Sequence, residues 1–115
     1  MTNEILKMEQ LEQVAGGNDV QNKVDRIFFQ KLGYDMSRTK LASVFSENGF
    51  FFSTDFDGDN KYRMEVDGKW VEYPHYAALG IILINKKYPG FYGSWNDEKN
   101  VKSFLKENFG INDLG

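Results

Sequence analysis

The 115-residue chain contains no cysteine. That excludes a disulfide framework, thiolate metal sites, a cysteine nucleophile and thioether-bridged peptide chemistry. Its single histidine, His75, leaves no imidazole cluster for a metal and little room for a Ser/His relay. Positive charge is not in excess: the formal net charge of −3 offers no basic footprint for nucleic acid. Long apolar runs are missing too. The longest, Tyr76 to Ile84, is half of what a spanning helix requires, and it lies between Pro74 and Lys86-Lys87, so it reads as a buried helix and not as a stable membrane span. The opening residues have neither the basic start nor the continuous apolar stretch of a general secretion signal. No glycine-rich phosphate loop, internal repeat or low-complexity tract occurs, the glycines marking helix stops and turns, and no motif calls for a cofactor.

Aromatic side chains are what the sequence has in quantity: ten Phe, six Tyr and two Trp, all of them after residue 17. A segment without one large ring is poorly equipped to join an aromatic-rich core, so the composition divides the chain at Gly16-Gly17-Asn18. Residues 1–17, with three Glu and one Lys, read as an appendage, and residues 18–115 as a single domain.

Within that domain the pattern is α+β. Asn18 or Asp19 caps a helix with Val20, Val24, Ile27, Phe28 and Leu32 at helical spacing, and Gly33 stops it. Ser37 opens a shorter helix with Leu41, Val44 and Phe45 on one face, ended by Gly49. Strand-like runs follow at Phe50 to Phe56, Lys61 to Val66 and Lys69 to Tyr73. The Asp67-Gly68 dipeptide between the last two is a strong hairpin signal, because both residues tolerate the positive φ angles such a turn needs. Pro74 fits the first position of a helix running to about Lys87 and apolar on nearly every side, which places it centrally. After Pro89-Gly90 and an aromatic loop, Asn96 or Ser94 caps a last helix with Val101, Phe104, Leu105 and Phe109 as its stripe. The expected architecture is a three-stranded antiparallel meander packed with about four helices.

The opening segment carries the most functional information. Leu6, Leu11 and Val14 fall within one arc of roughly 140° on a helical wheel, with Glu9 and Glu12 opposite. Ala15-Gly16-Gly17 then removes side-chain bulk and helix propensity together. The three aliphatic side chains suit a groove on a partner, and the bare glycines suit a narrow cleft whose walls approach the backbone from both sides. A helix this short orders when bound, being marginal alone in water. The run Leu6-Lys7-Met8-Glu9-Gln10-Leu11-Glu12-Gln13-Val14-Ala15-Gly16-Gly17 resembles the double-glycine leader of bacteriocins and related exported bacterial peptides. It departs from that pattern at Lys7, where Ser is common, and in the size of the cargo that follows. The resemblance implies recognition through Leu6, Leu11 and Val14 by the peptidase domain of an ABC transporter and cleavage after Gly17, with Gly16 and Gly17 in the cleft. It further implies secretion of residues 18–115 and a bacteriocin-like or signalling role toward an unknown protein or cell-surface target. The chain would be a peptidase substrate and not an enzyme. The competing reading is a surface helix with a glycine C-cap and linker. Residues 1–17 would then be the flexible arm of an intracellular, cytoplasmic binding or immunity-type module.

Weaker constellations complete the list. Asp55, Asp57 and Asp59 alternate like the first ligands of a calcium loop, but Asn60 stands where the sharp-turn glycine belongs and Val66 where the distal acid belongs, so turn chemistry competes with metal binding. Tyr88, Phe91, Tyr92 and Trp95 form a possible partner-binding loop, or else tuck inward to close a small core. His75 reads as structural at a helix start, Glu65 and Glu72 as a candidate carboxylate pair across the hairpin, and Phe50-Phe51-Phe52 as a fully buried strand.

Overall fold

A computed structural model describes residues 19–54 and 58–114. Among them, α1 (Asp19–Lys31), α2 (Leu41–Glu47), β1 (Phe51–Thr54), β2 (Asn60–Val66), β3 (Lys69–Tyr73), α3 (His75–Asn85) and α4 (Glu98–Phe109) follow one another, and the fold is α+β. The strands form one antiparallel sheet in the order β1-β2-β3, the expected meander.

The hairpin at Asp67-Gly68 forms where its turn chemistry places it. Asp67 takes φ 51° and Gly68 φ 79°, and Val66 faces Lys69 across the turn. α3 is the central helix: Ala77 to Leu83 are all buried, including Gly80. A Cβ on Gly80 would come within 2.9 Å of Trp95 Cα, so the missing side chain is what lets the 91–97 loop lie against the helix. Pro74 stands just before the helix, as its N-cap, and the helix ends at Asn85, short of Lys87. α4 is capped by Asp97, whose Oδ1 accepts the Asn100 backbone N–H at 3.1 Å. Neither expected cap is used, because the Ser94 hydroxyl bonds instead to the Asn96 side chain.

Two further expectations need correction. The second helix begins at Leu41, not at Ser37. The Ser37 N–H and hydroxyl both donate to Asp35 Oδ1 (3.2 and 2.5 Å), which closes a local turn. The buried Arg26 guanidinium meanwhile takes the Met36 and Thr39 carbonyls (2.9 and 3.2 Å), so the Met36 carbonyl is drawn away from an opening helical turn. The second correction concerns the three consecutive phenylalanines, which do not form one buried strand. Phe50 is buried, but its N–H belongs to the turn that ends α2, donating to the Phe45 carbonyl at 2.9 Å. Phe52 faces the core and stacks on Phe45 (centroids 5.1 Å apart), whereas Phe51 points away and is 55% exposed. Alternation along a strand with one wet face gives this result.

The core lies between the inner face of the sheet and the helices. Phe52, Tyr62 and Tyr73, level across the three strands, meet Phe45, Phe50 and His75. Phe28, Phe109, Tyr88 and Phe104 form a second aromatic cluster between α1 and α4. α1 departs from its apolar stripe: Val20 is exposed, while Asn22, Asp25 and Arg26 are buried.

Candidate functional site

Three places on the described surface and interior hold side chains that sequence reading had marked or overlooked. The first is a polar network under the sheet. Asp25, fully buried on α1, receives the Tyr62 hydroxyl on Oδ2 at 2.9 Å and meets His75 Nε2 with Oδ1 at 2.6 Å. His75 Nδ1 lies 2.9 Å from the Leu114 carbonyl, and its ring stacks flat on Tyr62 with centroids 4.8 Å apart. Burial, and secondarily the Asp25 charge, push the Tyr62 phenol far above the ordinary tyrosine range. Beside this group, Asn60 Nδ2 donates to Asn22 Oδ1 at 2.8 Å, and the Asn60 N–H donates to Gln21 Oε1 at 3.3 Å.

An Asp–His contact is the orienting half of a nucleophilic relay. Here the ring nitrogen that would address a nucleophile is occupied by a backbone carbonyl, so what the geometry builds is a clasp. It ties α1, β2, the start of α3 and the C-terminal segment into one body. A polar hollow of about 360 Å³ adjoins it, lined by residues that include Gln21, Asp59, Lys61, Glu72 and His75. No group of three or more His, Cys, Asp or Glu side chains converges on a metal position among the described residues. Asp59 lines the hollow, and Asp55 and Asp57 lie outside the described residues.

The second place is the 88–95 loop. Phe91 is buried against Phe104, Tyr88 packs on Phe104 and Phe109, and Trp95 meets Tyr73 edge-on. Tyr92 alone of the four points outward, 93% exposed.

The third is the outer face of the sheet, which sequence reading did not single out. Phe51 and Trp70, 60% exposed, meet across the strands at 5.9 Å and border a groove of about 420 Å³ with Ala42, Ser46 and Gly49. Between them Arg63 bonds Glu72 at 3.2 Å and Ser53 at 3.1 Å. The register sets Glu72 opposite Arg63 and Glu65 opposite Trp70, so the two glutamates do not face each other as a catalytic pair. The alternation that exposes Phe51 is the signal that would have revealed this face.

Leu6, Leu11, Val14, Gly16 and Gly17 lie outside the described residues. Among the described residues no helix is long and apolar enough to cross a membrane. No protein-family model, curated protein or solved structure matches the chain.

Proposed function

We propose that the chain is the precursor of an exported bacterial protein of bacteriocin-like or signalling type. Residues 1–17 serve as a double-glycine leader that the peptidase domain of an ABC transporter grips and cuts after Gly17. Leu6, Leu11 and Val14 dock by their shared aliphatic arc, and Gly16 and Gly17 thread the cleft. The observation that carries this reading is that arc ending on two bare glycines immediately ahead of the domain. The released domain then acts outside the cell on a protein or cell-surface target, and the chain's part in processing is that of substrate.

Incubating the full chain with its cognate peptidase tests the mechanism. Gly16→Val and Gly17→Val are expected to block cleavage, because a branched Cβ cannot enter a passage shaped for glycine. Leu11→Glu is expected to weaken docking by about 2 kcal/mol or more, through lost burial and a desolvated charge. Cleavage of all three variants at the rate of the unaltered chain contradicts the mechanism.

The exposed Phe51–Trp70 face favours a second reading, an intracellular binding or immunity-type module with residues 1–17 as an arm. That reading requires the uncut chain to persist inside the cell when the transporter is active.

A further inference from the structure

Among the described residues the sheet leaves one edge open. α2 packs beside β1, but β3 ends the sheet on the other side, and among the described residues no backbone hydrogen bond reaches its outer flank. In a two-residue hairpin the closing pair, here Val66 and Lys69, exchanges both hydrogen bonds, and bonded pairs then alternate along the ladder. Val71 and Tyr73 therefore turn their backbone groups toward β2, while Trp70 and Glu72 present N–H and C=O outward. The same strand exposes an apolar side chain on each face of the sheet: Trp70 on the outer face and Val71, 37% exposed, on the inner. A ligand lying on one face covers one of these; a strand added edge to edge covers both and uses the four open backbone groups.

We infer that β3 pairs antiparallel with β3 of a second copy of this chain, about a two-fold axis through Val71. The chain's own pattern selects that occupant and that register. A two-fold axis normal to the sheet passes through Trp70, Val71 or Glu72, since residues opposed across it share a face. Centring on Glu72 opposes two carboxylates and sets Pro74, which has no N–H, against Trp70. Centring on Trp70 draws Gly68, held at φ 79° in the turn, into the ladder opposite Glu72. Centring on Val71 opposes no like charges and places Trp70 of each copy against Glu72 of the other, so all four open groups bond.

The Val71 pair then joins the two Met64 side chains in an aliphatic row across the inner face. The two Trp70 rings become diagonal neighbours on the outer face, at a distance large aromatics bridge, and extend the existing Phe51–Trp70 contact into a band. The product is a continuous six-stranded sheet, two copies of the three-stranded one. A five-residue strand buries less than the ~1,200 Å² of a standard stable interface, so the dimer is weak and concentration-dependent.

The register is tested by sedimentation of the full chain from micromolar to millimolar concentration. The unaltered chain passes from monomer to dimer. Val71→Lys and Val71→Glu, each placing like charges face to face at the axis, raise the dissociation constant at least tenfold, and an equimolar mixture of the two restores the dimer. Hydrogen exchange on the unaltered chain is independent of whether those variants fold: the Trp70 and Glu72 amides gain protection with concentration, while Val71, already bonded to β2, does not. A chain that stays monomeric throughout overturns the inference, whether or not an extended peptide adds to the edge, and so does a dimer that both variants leave unchanged.

Discussion

Asp25 is the residue on which the buried polar network converges. Removing its carboxylate leaves the Tyr62 hydroxyl and His75 Nε2 without their shared acceptor inside the fold. Asp25→Ala is expected to lower the unfolding free energy by about 2–4 kcal/mol in chemical denaturation, because two buried groups lose their partner, and a loss within the range of an ordinary surface substitution contradicts the clasp. Tyr62 adds a pH signature. Its phenol is held above the ordinary range in the folded state, so the folded chain keeps a proton that the unfolded chain releases near pH ~10. The stability this provides is complete below that pH and is lost as the pH rises above it. Denaturation midpoints between neutral and strongly alkaline pH are expected to fall more steeply for the unaltered chain than for Tyr62→Phe. Equal slopes would mean that Tyr62 does not take part. Of this, only the structural role of His75 at a helix start was legible in the sequence. The apolar stripe of α1 does not single out Asp25, and its partner His75 is fifty positions away. Only the packing of α1 against the start of α3 brings them together.

At the scale of elements, what could be read and what could not separate by locality. The β2–β3 hairpin follows from two adjacent residues that accept positive φ; β3 has its expected boundaries and β2 begins one residue early, at Asn60. The start of α2 depends on Arg26, which sits in another helix and occupies the Met36 carbonyl, and no local pattern encodes that. The run Phe50-Phe51-Phe52 misleads because three identical residues hide the alternation that sends one of them outward. Gly80 is a case in which the apolar pattern placed the helix correctly but not the reason for its glycine. With Trp95 Cα 2.9 Å from the position a Cβ would take, Gly80→Val is expected to push the 91–97 loop off α3. The expected loss is about 1–3 kcal/mol of stability, accompanied by a red shift of tryptophan emission as Trp95 leaves Tyr73. Unchanged stability and emission would show that the loop is not seated through that glycine.

Taken whole, the molecule combines a domain whose described part supplies its own core with an opening segment of different composition. The architecture of the domain was legible because helical and strand periods, turn residues and stops agree with one another along most of its length. Its exposed aromatic face was not, since exposure of Phe51 and Trp70 depends on which face of the sheet the helices cover. The central claim concerns the joint between segment and domain: residues 1–17 are a handle that is cut away once the chain has been delivered. The intact mass of the protein recovered from the medium of cells carrying an active peptidase-containing transporter tests it most directly. The account predicts one species beginning at Asn18. A full-length chain found only inside those cells, or an exported species that begins ahead of Asn18, contradicts it.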